Sequence, residues 1–138
     1  MKIETVIFVE PTGKARPRVI SKDGKTWAYT PGGTVRTEAL IRQSLMRLGK
    51  KFDAKVPLKL RVTFYREKPK SLPKKVKYPV TRPDLDQYLK LLLDACQKYI
   101  FPDDAAIVSV EAYKRFGSPP RIELMLEVNS EGAGYSSD

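Results

Sequence analysis

The sequence predicts an α+β fold: a single domain in which a mixed β-sheet is covered by two main helices, in the order β, hairpin, α, β, α, β, β. Three observations lead there. A length of 138 residues suits one domain with one main core. Leu58 to Tyr65 alternates apolar and polar with period two, the pattern of a strand with one buried face. Two other segments repeat apolar residues every three to four positions, as helices do when one face rests on a sheet.

Ile3 to Val9 is a short run with β-branched residues, bounded by Pro11 and Gly13, and reads as the first strand. Glu10 to Arg18 is a basic loop with Gly and Pro. Val19 to Ser21 and Trp27 to Tyr29 flank Lys22, Asp23, Gly24 and Lys25, a turn signal for a hairpin. Thr34 then serves as N-cap of a helix to about Leu48, with Ile41, Leu45 and Leu48 on one face, Arg36, Arg42 and Arg47 on the other, and Gly49 as the stop. After the Leu58 to Tyr65 strand comes Glu67 to Arg82, in which Pro69, Pro73 and Pro79 interrupt Lys68, Lys70, Lys74, Lys75 and Lys77. Proline removes backbone donors, so this stretch is a basic loop rather than a core element. From Leu85, the stripe Tyr88, Leu89, Leu92, Cys96 and Tyr99 marks a second helix that stops at Phe101 and Pro102. Ile107 to Phe116 and Arg121 to Val128 are the last strands, joined through Gly117, Ser118, Pro119 and Pro120. The domain is expected to occupy residues 1–129, and the small polar stretch 130–138 to be a disordered tail.

Composition removes much chemistry. There is no histidine, so an imidazole base, a Ser/His/Asp triad and every His-ligated zinc site are excluded. A single cysteine, Cys96, can neither close an intrachain disulfide nor build a Cys-rich metal cage. With no apolar run of membrane length and no signal-peptide run after Met1, a cytoplasmic location with a reduced core thiol is expected. The net charge is +10, unevenly placed: residues 1–83 hold 21 Lys or Arg and 6 acids, a net of +15, whereas residues 84–138 hold 5 and 10, a net of −5. A basic surface binds nucleic acid by releasing its counterions, and grouped carboxylates recruit divalent cations. Composition alone leaves two readings open, an enzyme acting on nucleic acid and a noncatalytic nucleic-acid-binding protein whose acids merely balance its bases. A nucleotide phosphotransferase has no support, since no Gly-rich phosphate loop is present.

Asp84, Asp86, Asp94, Asp103 and Asp104 flank or lie within the second helix. Pro83 disfavours helical backbone before it, so the chain is expected to enter extended and turn helical around Asp86, letting Asp84 and Asp86 face one cation. An aspartate before an apolar helix is also the ordinary N-cap. Asp103 and Asp104 must fold back from the helix's far end to join that pair. Lys90 lies four residues from both Asp86 and Asp94, the spacing of an exposed ion-pair ladder. Pro83-Asp84 followed by Glu111 and Lys114 does not make a restriction-endonuclease motif, because an offset of three on a strand places the last two on opposite faces.

The whole arrangement, Arg82-Pro83-Asp84-Leu85-Asp86-Gln87-Tyr88-Leu89-Lys90, then Leu93-Asp94-Ala95, then Pro102-Asp103-Asp104 before a strand, resembles the RusA family of Holliday junction resolvases. Gly13-Lys14-Ala15-Arg16-Pro17-Arg18 and Tyr29-Thr30-Pro31 are similar to the branch found in Gram-positive bacteria and phages. The likeness spans about residues 5–128, with Gln87 in place of the usual Asn and Tyr88 in place of the usual Leu. It implies a homodimeric, Mg²⁺-dependent endonuclease, with Mn²⁺ a candidate substitute, that makes paired nicks in four-way DNA junctions. By the same resemblance Asp84, Asp86 and Asp104 are catalytic carboxylates and metal ligands, Asp103 a further ligand and Lys90 a catalytic partner. Lys14, Arg16, Arg18, Lys68, Lys70, Lys74, Lys75, Lys77 and Arg82 are the expected DNA contacts. Hard carboxylate oxygens suit Mg²⁺, and metal chemistry needs no histidine.

Overall fold

A computed structural model of the protein describes residues 1–13, 18–29 and 32–129. Its elements are β1 (Lys2–Ile7), β2 (Arg18–Lys22), β3 (Lys25–Tyr29), α1 (Gly32–Leu48), β4 (Leu58–Arg66), α2 (Leu85–Cys96), β5 (Ile107–Phe116) and β6 (Arg121–Val128), with a short 3-10 turn at Asp104–Ala106. The alternation in β4 does what it predicts: Leu58, Leu60, Val62 and Phe64 point inward and are buried, while Arg61 on the other face is exposed. Ile3 and Ile7 of β1 and Ile122, Leu124 and Leu126 of β6 join the same core. The helices close it with Ile41 and Leu45 from α1 and Tyr88, Leu91, Leu92, Ala95 and Cys96 from α2. Each large apolar side chain among them contributes roughly 1.5–3 kcal/mol on burial.

The main sheet has the order β1-β6-β4-β5. β1 and β4 pair antiparallel with β6, whereas β4 and β5 are parallel, so the sheet is mixed as expected. Parallel strands need a crossover, and α2 supplies it. The helix therefore starts near the carboxyl ends of β4 and β5 and finishes near their amino ends. The hairpin β2–β3 stands as a separate two-stranded sheet. Its turn residues Asp23 and Gly24 have φ of 53° and 73°, the left-handed pair that the commonest two-residue hairpin turn requires.

Several boundaries differ from expectation. β1 ends at Ile7 rather than Val9. α1 begins at Gly32, so Thr34 is not the N-cap; it is buried in the first turn, and its hydroxyl donates to the Gly13 carbonyl at 3.4 Å. α2 ends at Cys96 because Gln97 turns extended and Lys98 adopts φ 72°. Tyr99 is thereby carried to the surface, and Ile100 and Phe101 enter the core in its place. The expected tail from Ser130 to Asp138, and the basic residues Lys14 and Arg16, lie outside the described residues. Among the described residues no helix is long and apolar enough to cross a membrane.

Candidate functional site

Asp84 is the N-cap of α2, with extended backbone at φ −70° and ψ 152°. The helix starts at Leu85, so Asp86 is its second residue. Both carboxylates are exposed, and among the described residues neither takes part in an ion pair. Both also sit at the positive end of the helix dipole, which favours negative charge there. Gln87 secures the helix start. Its Oε1 accepts the backbone N–H of Asp84 at 3.2 Å, one arm of a capping box.

The entrance to Asp84 is held from the sheet. Lys114 Nζ of β5 donates to the carbonyls of Thr81 at 2.9 Å and Pro83 at 3.1 Å. Arg66, the last residue of β4, donates to the Thr81 hydroxyl at 3.3 Å and the Arg82 carbonyl at 3.1 Å. Burial pushes up the pKa of the hydroxyl of Tyr88, whose ring stacks on Phe64 at 5.2 Å between centroids, and Arg66 draws that pKa down by less. Glu10 approaches Arg66 as well; partial burial raises its pKa, against the pull of Arg66. On the opposite side a Cβ at Gly13 would stand 3.0 Å from Pro83 Cβ and 3.2 Å from Gln87 Cβ, so glycine lets the loop after β1 lie this close.

The second acidic group is at the other end of α2. Asp103 caps the 3-10 turn, its Oδ1 accepting the Ala105 N–H at 3.0 Å. Partial burial first, then the hydrogen bond and charge of Asp103, then the charge of Asp94, hold the Asp104 carboxyl above its ordinary pKa. Asp104 thus keeps company with Asp103 and Asp94, not with Asp84 and Asp86. Eight residues separate Asp86 from Asp94, about 12 Å at the helical rise. Among the described residues no three acidic or cysteine side chains gather closely enough to hold a metal ion. One chain offers two separate acidic groups. The donor chemistry still fits Mg²⁺, which keeps several of its waters and takes only one or two carboxylates from a protein.

Lys90 lies one helical turn beyond Asp86 and is exposed; the ion-pair ladder that its spacing allows does not form, since Lys90 makes no ion pair among the described residues. The 67–82 loop contains neither strand nor helix, only the turns closed by Leu72 N–H on Pro69 O and Val76 N–H on Pro73 O. Lys70, Lys74, Lys75, Lys77 and Arg82 are exposed along it. Lys68 lies half-buried with its ammonium 5.9 Å from the Phe116 ring centre, beside an open groove of about 560 Å³. Arg18 opens β2.

Sequence reasoning misses Lys114 and Arg66 as parts of the site. A signal for Lys114 exists in the chain: a lysine at the inward position between Ala112 and Phe116 interrupts an apolar face. Glu111 does lie on the other face, bound to Arg61 at 3.0 Å, as the rejection of the restriction-endonuclease motif requires.

The chain is similar to known proteins over most of its length. A family model described as "Endodeoxyribonuclease RusA" matches residues 9–127. A Lactococcus phage r1t protein, "Crossover junction endodeoxyribonuclease rusA", is 35% identical over 118 residues, covering 83% of this chain and 87% of the phage protein. A Bacillus subtilis (strain 168) protein, "Uncharacterized protein YqaN", is 26% identical over 134 residues, covering 90% of this chain and 94% of its own length.

Proposed function

Since the chain belongs to the RusA family of endodeoxyribonucleases, we propose that it resolves four-way (Holliday) DNA junctions by paired symmetric nicks, using Mg²⁺. The observation that carries this reading is the exposed Asp84–Asp86 pair, without an ion-pair partner among the described residues, at the carboxyl ends of two parallel strands and immediately after a lysine-rich loop. Carboxyl ends of parallel strands are where open α/β sheets place their ligands.

Asp84 and Asp86 would hold the cation from one side, and Asp104 with Asp103 from another. When bound, Mg²⁺ supplies Lewis-acid polarisation of the phosphate and lowers the pKa of water. Lys90, on the turn after Asp86, stabilises the negative charge that develops on the phosphate during attack. Lys68, Lys70, Lys74, Lys75, Lys77 and Arg82, with Lys14, Arg16 and Arg18, hold DNA phosphates, which positions the substrate without reading its sequence.

Assembly is part of the proposal. A four-way junction has approximate two-fold symmetry, and so does a homodimer. Two chains whose α2 helices run antiparallel across the axis bring the Asp84–Asp86 end of one beside the Asp103–Asp104 end of the other. Each dimer then has two equivalent sites, one for each strand to be cut.

The test is a synthetic four-way junction against linear duplex of the same sequence, with and without Mg²⁺, for the wild type and for Asp84→Asn, Asp86→Asn and Asp104→Asn. Paired, ligatable nicks in the junction alone, lost in each variant while gel-shift binding survives, are expected. Binding without Mg²⁺-dependent product from the wild type would leave the noncatalytic reading standing instead.

A further inference from the structure

We propose that Lys114 is a positioning residue for Asp84, acting through the peptide that joins Pro83 to it. The proposal rests on the reading of Asp84 as a metal-binding carboxylate. A peptide unit is planar, so fixing its C=O and its N–H fixes the plane and the direction in which the next residue leaves. Both ends of the Pro83–Asp84 unit are held. Its carbonyl accepts from Lys114 Nζ at 3.1 Å, and its N–H donates to Gln87 Oε1 at 3.2 Å. Lys114 also takes the Thr81 carbonyl at 2.9 Å, and Arg66 takes the Arg82 carbonyl between them at 3.1 Å. The carbonyls of Thr81, Arg82 and Pro83 therefore all end on cations from two hydrogen-bonded strands of the main sheet, Lys114 lying opposite Phe64.

The choice of residue supports this. The residues before Thr81 form a loop with no strand or helix to align them, so without the sheet contacts little would aim Asp84. Among the described residues Lys114 makes no ion pair, and its ammonium donates to backbone carbonyls instead. An ammonium supplies three donors from one atom, enough to bridge two carbonyls at once. It also brings a positive charge near a carboxylate pair without neutralising either member by direct contact.

The experiment measures cation binding directly on the full chain, by Mn²⁺ titration followed by electron paramagnetic resonance, alongside thermal melting and nicking across Mg²⁺ concentrations. Groups that orient metal ligands change affinity by about 10–100-fold when removed. Lys114→Met should weaken Mn²⁺ binding at least about ten-fold and raise the Mg²⁺ needed for half-maximal nicking by a similar factor. Lys114→Arg should recover part of both. Gln87→Leu releases the other side of the same peptide and should give the same shift, which keeps the test open if Lys114→Met does not fold. A Lys114→Met protein that melts lower yet binds Mn²⁺ as the wild type does would overturn the proposal. Asp84→Asn is the control that separates the two readings: if it binds Mn²⁺ normally, Asp84 is not a ligand and both fall, whereas loss in Asp84→Asn with retention in Lys114→Met removes only the role of Lys114.

Discussion

Mixing two inactive variants distinguishes a site built within one chain from a site shared by two. Carboxylates that share one Mg²⁺ lie within about 4–5 Å of each other, since each oxygen is about 2.1 Å from the ion. Asp86 is about 12 Å along α2 from Asp94, the neighbour of Asp104, so a single chain does not close that gap. The Asp84→Asn/Asp86→Asn protein lacks one acidic group and Asp104→Asn the other. Co-refolded in equal amounts, they should form mixed dimers as about half of the total by random pairing. In the shared arrangement each mixed dimer has one site with only native carboxylates and one with none of the three. Nicking should therefore return to about a quarter of the wild-type rate, from two parents that have none. With an internal site, one half of the mixed dimer lacks its N-terminal pair and the other lacks Asp104, and no activity returns. A supercoiled plasmid carrying an extruded cruciform reads the difference, since single nicks relax it and paired cuts linearise it. Relaxed circles without linear product are expected. Mixed dimers isolated through two different affinity tags that nick nothing, while the wild type linearises the plasmid, would refute the shared site.

Lys90→Ala should lower nicking by about 10²-fold. It should change stability by less than about 0.5 kcal/mol, because the side chain is exposed and makes no ion pair among the described residues; a large drop in urea midpoint with normal nicking per folded molecule would make Lys90 structural. Gly117→Ala places a Cβ 2.5 Å from Tyr65 Cδ1 and 3.3 Å from a guanidinium nitrogen of Arg121, a side chain that itself covers the Tyr65 ring. Overpacking of that kind costs about 1–3 kcal/mol, and an unchanged urea midpoint would show that the ring gives way freely. Cys96 is buried, and burial pushes its thiol up to about 12 from 9.0. The native thiol should resist a disulfide reagent at pH 8 and react only on unfolding. Because the folded pKa is raised, the unfolded thiol ionises first, so this contribution to stability is complete below pH 9 and declines from there toward about 12; denaturant midpoints across that range check it.

Local signals were legible because local physics sets them. The period of two in β4, the Asp23–Gly24 turn and the apolar face of α2 each depend on residues near in sequence, and each is found where its pattern lies. Ends were less legible. Thr34 has the chemistry of an N-cap, yet α1 starts two residues before it and the hydroxyl serves the Gly13 carbonyl, a partner 21 positions away that no local pattern announces. Tyr99 continues the helical spacing of α2, but the left-handed Lys98 ends the helix and brings Ile100 and Phe101 inward instead. In both cases tertiary structure overrides a correct local preference.

The carboxylates show the same limit in a form that bears on function. Their grouping before and after α2 is plain in the chain, and family resemblance gathers them into one site. Their separation follows from one non-local fact, that β5 lies parallel to β4. A parallel pair forces the connecting helix to run back along the strands, so whatever caps its start and whatever follows its end must stand at opposite ends of the strands. Had β5 been antiparallel to β4, α2 would not have needed to return along the sheet, and the two acidic groups would have been free to meet within one chain. In the proposed dimer the strand direction, rather than the identity of any aspartate, is what leaves the second group of carboxylates to come from another copy of the chain. It also explains why Lys114, near the far end of β5, stands beside Asp84 while Asp104, only ten residues before it, does not.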